Sequence, residues 1–232
     1  MLRRFKIALV LAAGVGLSQA GVLASGSSAP SAPSGGSPSM RSMTPEERAV
    51  EAYRSGDEHR VKGKKLDEEA ASKKGTDAEK ALAKSRSEFE KSIKDFKNAS
   101  KLNPKLPQPY NGMGYAYRKM GDYTTALEMY DQAIKLAQPD FFPEAVEYRA
   151  EAYLALNRLD DARQAYLDLF AADRKQADIL MAAMKTWIAS HKAEPAGVSP
   201  DAVSTLEKWI GERDGLAKQT RLMGVSTKYA GW

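Results

Sequence analysis

The sequence has no cysteine and only two histidines among its 232 residues. Without cysteine the chain can form no disulfide and can do no thiol chemistry. His59 and His191 lie far apart in charged or polar stretches, so neither is expected to be a base held by an orienting carboxylate. Glu58 precedes His59, but the second histidine of a helical zinc site is missing. We therefore expect no catalysis, no metal and no cofactor.

The chain also lacks an excess of charge of one sign. The formal net charge of +5 includes the three basic residues Arg3, Arg4 and Lys6, and it falls to +2 without them. Because the remaining charges alternate in sign, little favours a nucleic-acid partner.

Gly63, followed by two lysines, lacks the other residues of a phosphate-binding loop, and we expect this glycine to interrupt a helix.

Long apolar runs are scarce as well, and the run at residues 7–17 has a specific context. It is about 11 residues long, whereas ~20 are needed to cross a bilayer as a helix. Three basic residues precede it, and small residues around Ala20 and Ala24 offer two cleavage positions. This pattern predicts a signal peptide over residues 1–20. We expect export, with the periplasm favoured and secretion as the alternative, and no stable membrane insertion once the signal is removed.

Residues 21–43 form the next segment, and residues 25–43 within it are almost all serine, glycine, alanine and proline. Such a stretch has too little apolar surface to offset the entropy of ordering it. We therefore predict a flexible linker, which either only spaces the folded part from the signal or tethers it to an envelope partner.

Three segments of the remaining chain share one helical pattern in phase. Aromatic, small and aliphatic residues recur at three- and four-residue steps, and the equivalent small residues Ser92, Ala126 and Ala162 lie 34 and then 36 residues apart. A unit of this length with helical spacing is one helical hairpin, which must stack on a copy of itself to bury its apolar stripe. The pattern predicts an all-α solenoid.

The residues inside each unit explain the packing of such a hairpin. Gly114 and Ala126 fall where two antiparallel helices would cross, so their small size lets the backbones approach. Gly121 and Asn157 suit turns that require a positive φ. The structural repeat positions are Gly114, Ala126, Tyr130, Ala150, Ala162 and Tyr166.

These residues resemble the tetratricopeptide repeat (TPR) family, and together with the predicted signal peptide they indicate an exported bacterial protein of this type. Tyr110, Met113, Gly114 and Tyr117, followed by Ala126, Tyr130 and Ala133, match its pattern. The resemblance implies two clear repeats over residues 105–176. An elongated first hairpin would occupy residues 44–104, capping helices residues 177–219 and a flexible tail residues 220–232.

Each of the two helices in the predicted first hairpin has its own start signal. Thr44, Pro45 and Glu47 form a capping box with proline at the first helical position, and Thr76 with Glu79 repeats the box. We predict helices from about 45 to 72 and from about 77 to 102. Farther along, two apolar stripes predict the capping helices: Ile179, Leu180, Ala183, Met184 and Trp187 on one, and Val203, Leu206, Ile210 and Leu216 on the other.

In the tetratricopeptide family the first helix of each pair lines a concave binding face. Carried over, the outward positions are Gln108, Asn111, Tyr115, Arg118 and Lys119 in one unit and Glu144, Glu147, Glu151 and Leu154 in the next. Three glutamates argue against a clamp for a peptide carboxylate, and Glu147 and Glu151 would suit a basic segment. The same residues could equally be solvated or mutually paired.

The resemblance implies a non-catalytic adaptor or scaffold of the bacterial envelope with a protein or peptide partner. A structural or assembly subunit that contacts its complex through the long hairpin is the alternative. A hydrolase would need a carboxylate pair in a pocket. The oligomeric state is left open by the sequence.

Overall fold

The computed structural model describes residues 43–194 and 197–229, and these residues form helices and loops without a strand. The predicted signal peptide and all of the linker before Met43 lie outside the described residues. The all-α class is confirmed. The helices are α1 (Pro45–Ser72), α2 (Gly75–Leu102), α3 (Pro107–Lys119), α4 (Tyr123–Ala137), α5 (Pro143–Ala155), α6 (Leu159–Ala172), α7 (Arg174–Ala193) and α8 (Pro200–Tyr229).

Consecutive helices pair as hairpins, and the hairpins stack in chain order. Each second helix packs on the first helix of the next hairpin, as α2 does on α3 and α4 on α5. The first helices α1, α3, α5 and α7 also contact one another in succession, whereas the described second helices make no comparable contacts among themselves. The array therefore curves, with the first helices on its concave side, as in a tetratricopeptide-like solenoid.

All six predicted repeat positions are buried. At Gly114 an added Cβ would lie 2.6 Å from Cε1 of Tyr130, so only glycine admits the aromatic ring of the second helix here. Gly121 at φ 84° and Asn157 at φ 59° confirm the two turns predicted to need a positive φ.

The first hairpin is packed in the same way as the repeats, but its two helices are longer. A Cβ at Gly56 would lie 2.7 Å from Cδ1 of Phe96, which makes this pair the counterpart of Gly114 and Tyr130. Both helices of this hairpin contain 28 residues, about 42 Å each. The buried small residues of α1 recur every seven positions, at Ala49, Gly56, Gly63 and Ala70.

This spacing corrects the prediction that Gly63 interrupts a helix. The residue lies in the middle of α1, and a Cβ there would approach Cε1 of Phe89 to 2.8 Å. The cost of glycine within a helix is therefore offset by close packing against an aromatic ring of α2.

The two predicted capping boxes have different outcomes. At α1, Thr44 Oγ1 accepts from the Glu47 amide at 3.1 Å and Glu47 Oε2 accepts from the Thr44 amide at 2.8 Å, so this box is confirmed. The box at Thr76 is wrong, because α2 already begins at Gly75 and its cap Lys74 makes no side-chain hydrogen bond. Only two residues connect α1 to α2, which leaves no room for a cap at Thr76.

Helices α7 and α8 close the C-terminal end around one apolar cluster. Leu180, Met184 and Trp187 of α7 are buried with Val203, Leu206 and Ile210 of α8. Leu216 was predicted on the same stripe but is 45% exposed. The backbone is helical as far as Tyr229, although a flexible tail was predicted from residue 220; no proline interrupts this stretch, and residues 230–232 lie outside the described part. Among the described helices none is long and apolar enough to cross a membrane.

Candidate protein-binding face

The concave side between α3 and α5 contains the residues predicted to contact a partner. Gln108 and Glu144, at the start of these helices, are exposed, and Asn111 and Glu151 are partly exposed. Three residues that were predicted to point outward are buried instead. The exposed fraction is 5% for Tyr115, 1% for Glu147 and 4% for Leu154. The curvature explains the difference, because neighbouring first helices approach closely enough to cover these side chains.

Each of the three covered residues has its own neighbours. Leu154 packs in the apolar cluster that α5 shares with α7 and α8. Tyr115 contacts Phe89 of α2 edge to face at 6.2 Å, and the guanidinium of Arg60 from α1 lies 5.1 Å from its ring centroid. The first hairpin thus covers part of the face that the sequence predicts to be accessible to a partner.

Arg118 is the centre of the α3–α5 boundary. Its guanidinium carbon lies 5.3 Å from the Tyr115 ring centroid and 5.2 Å from that of Tyr148. Its Nε donates to the Tyr130 hydroxyl at 3.3 Å, and its Nη1 donates to Glu151 in a short ion pair. Two rings, one hydroxyl and one carboxylate therefore hold a single cation that is 11% exposed.

This burial changes the ionisation of the surrounding phenols. Desolvation raises the pKa of Tyr115 to about 12 and also raises the pKa of Tyr130 and Tyr148, while Arg118 acts in the opposite direction on all three. Burial acts to lower the pKa of Arg118, but nearby Tyr130 and Glu147 outweigh it and the pKa is raised. Arg118 is therefore a permanent cation at this boundary, and the tyrosines are neutral.

Glu147 is the buried acid of the same boundary. Its Oε1 is buried without a hydrogen-bond partner. Burial raises its pKa to about 7, Arg118 opposes the increase and Glu144 adds to it. A carboxyl in this position changes its charge near neutral pH.

Helix α1 contributes charged residues that the sequence did not single out. Asp67 pairs with Lys119 at 2.7 Å, and Asp57 pairs with Arg60 at 2.7 Å. Burial lowers the pKa of Lys119, with Asp67 opposing the decrease. Asp57, Arg60 and Asp67 lie on one face of α1, and the sequence shows this spacing as a charge pattern. Only the packing of α1 against α3 identifies Lys119 as the partner of Asp67.

The two histidines differ in their surroundings. His59 was expected to lack an orienting carboxylate, yet its Nδ1 lies 2.6 Å from Glu88 of α2 and its Nε2 lies 3.9 Å from Asp95. Ser55 donates to the same Asp95 at 2.7 Å. His191 stacks on Trp187 at 3.9 Å. Over the described residues, no group of three histidine or acidic side chains could hold a metal ion.

The comparisons with known proteins agree with this geometry. Residues 111–177 match the family described as tetratricopeptide repeat, and residues 84–121 match one described as TPR repeat. The segment 84–177 therefore contains tetratricopeptide repeats, a fold that typically mediates protein–protein interaction without catalysis. No match to the chain is found among the curated proteins.

Proposed function

We propose that this protein is a non-catalytic adaptor or scaffold of the bacterial cell envelope that binds a protein segment on the concave face between α3 and α5. The observation that carries the proposal is the stack of tetratricopeptide hairpins whose first helices share one side. On that side Gln108, Glu144 and Glu151 remain open to solvent to different extents. Extended or helical segments commonly bind to such a face.

The envelope location is supported by the sequence alone. A basic start, a short apolar run and small residues near Ala20 form the pattern of an export signal. Fractionation of cells that make the full chain, followed by mass analysis of the N-terminus, tests this part. We expect the folded chain in the periplasm with a new N-terminus near Gly21, whereas an uncleaved chain in the cytoplasm would contradict it.

Site-specific photo-crosslinking tests the binding face. A photoreactive residue replaces exposed Gln108 on α3, and the matched control replaces exposed Glu128 on the outer helix α4. We expect specific covalent partners from position 108 and far fewer from position 128. Equal labelling at both positions would contradict a concave binding face.

The alternative is a structural or assembly subunit that contacts its complex through the long hairpin. Its support is that α1 and α2, with 28 residues each, are about twice as long as the helices α3 to α6 of the two repeats, and that they expose Val50, Val61 and Leu82 by about half. A third photoreactive position at Val61 separates the two functions, because an assembly subunit would crosslink there and an adaptor would crosslink at position 108.

A further inference from the structure

The α3–α5 boundary contains more negative than positive charge. Glu144, Glu147 and Glu151 recur at three- and four-residue steps on α5, so they lie on one face of the helix. Arg118 pairs with Glu151, and no ion pair joins Glu144 to another described residue. Arg149 is the basic residue of α5, and it pairs with Asp131 of α4 at 2.6 Å rather than with these glutamates.

Arg118 is near two carboxylates and satisfies only one of them. It donates to Glu151, which is 27% exposed, whereas the buried Glu147 Oε1 has no hydrogen-bond donor. A buried carboxylate without a donor is costly, and a carboxylate at the surface can be satisfied by water instead. In the free protein the Arg118 guanidinium is therefore paired with the partly exposed Glu151, although a hydrogen bond would stabilise the buried Glu147 more.

We propose that this boundary accepts a lysine or arginine side chain of the bound segment, a proposal that rests on the concave binding function. The incoming cation pairs with Glu151 and the exposed Glu144, next to the partly exposed ring of Tyr148. Arg118, released from Glu151, then donates to Glu147. The partner is thus a segment with at least one basic residue.

Proton release follows from this exchange. The charged groups that act on the pKa of Glu147 are Arg118 of α3 and Glu144 of its own helix α5, and Glu147 itself raises the pKa of the neighbouring Tyr130 of α4 and Tyr148 of α5. Of these, only Arg118 favours the ionised carboxylate. A hydrogen bond from Arg118 therefore stabilises that form, and the proton of Glu147 passes to the solvent. Binding should become tighter as the pH rises from 5 to 8.

The test uses a capped pentapeptide with one lysine between pairs of alanines, and a control peptide with uncharged norleucine in place of lysine. Binding is followed through the ring signals of Tyr148 and the carboxyl carbon signal of Glu147 by NMR. We expect the lysine peptide to bind with a lower Kd than the norleucine peptide. Glu151→Gln should raise the Kd by about two- to fivefold, as for a partly exposed ion pair. Glu128→Gln on α4 is the matched control and should leave it unchanged.

The pH profile separates the exchange from simple attraction between charges. In the wild type the Kd should fall between pH 5 and pH 8, and Glu147→Gln should remove most of this dependence because it cannot release a proton. Equal binding of the two peptides, or a pH profile that Glu147→Gln does not change, would overturn the proposal.

Photo-crosslinking from position 108 distinguishes the failure of this proposal from the failure of the adaptor function. Captured segments that contain lysine or arginine next to the crosslinked residue support both. Captured segments without a basic residue overturn the cation site and leave the adaptor function in place. If position 108 captures no segment, both the adaptor function and the cation proposal built on it are wrong.

Discussion

Replacing Glu147 with glutamine should change the pH dependence of stability more than any other single substitution at the α3–α5 boundary. The pKa of Glu147 is about 7 in the folded protein, against an ordinary value of 4.5. Because the folded state binds this proton more tightly than the unfolded state, the stability is unaffected below the unfolded pKa. It then falls as the pH rises from 4.5 to 7 and is constant above that range.

The size of the effect follows from the separation of the two pKa values. At ~1.4 kcal/mol for each pH unit, the ionised carboxylate costs about 3 kcal/mol of unfolding free energy at pH 8. Glutamine has nearly the same shape and carries no charge. Glu147→Gln should therefore be close to the wild type at pH 4.5 and about 3 kcal/mol more stable at pH 8.

Urea unfolding followed by circular dichroism at pH 4.5, 6 and 8 measures this difference. Glu128→Gln removes an exposed carboxylate of α4 and should change the stability by less than about 0.5 kcal/mol at each pH. A difference between Glu147→Gln and the wild type that is the same at all three pH values would refute the reasoning. So would a variant that is less stable than the wild type at pH 8.

Five further substitutions at four positions test the packing, one turn and one helix cap of the array by thermal or urea unfolding. Gly114→Ala places a methyl group 2.6 Å from the Tyr130 ring and should destabilise by about 1–3 kcal/mol. Gly211→Ala in α8 meets nothing within 4 Å and should instead stabilise by about 0.5–1 kcal/mol; equal signs for these two variants would contradict the packing. Asn157→Gly should be neutral or stabilising, whereas Asn157→Ala should lose about 1 kcal/mol because φ is 59°. Thr44→Ala removes one arm of a capping box and should lose about 1 kcal/mol; no loss would mean that the first turn of α1 is frayed in solution.

The helical hairpins could be predicted because their determinants are local or periodic. Gly114 and Tyr130 meet at the crossing of two adjacent helices, and the same pair recurs in the first hairpin as Gly56 and Phe96. The Thr44 capping box lies within four residues of sequence. Such features depend on spacing along the chain, which a sequence shows directly.

The candidate site could be predicted only in part, because burial on a concave face depends on curvature and on neighbouring helices. Tyr115 was predicted to point outward, but it is covered by Arg60 from a helix about 50 residues earlier in the chain. Glu147 lies on the predicted helix, but it is buried although the sequence predicts an accessible side chain. Nothing in the local sequence distinguishes Glu147 from the exposed Glu144, three residues before it.

The C-terminal end of the array and its α3–α5 boundary are stabilised by different interactions, and this difference links binding to stability. Around α7 and α8 the interface is apolar, and burial of Leu180, Met184 and Leu206 stabilises it at any pH. Around Arg118 the interface is charged, and buried charges contribute little net stability unless all are paired. A bound cation that lets Arg118 donate to Glu147 would recover part of the roughly 3 kcal/mol lost at pH 8, in addition to the ordinary effect of a ligand on the folded state. The lysine peptide should therefore raise the Tm more at pH 8 than at pH 5 at equal saturation, and Glu147→Gln should make the two increments equal.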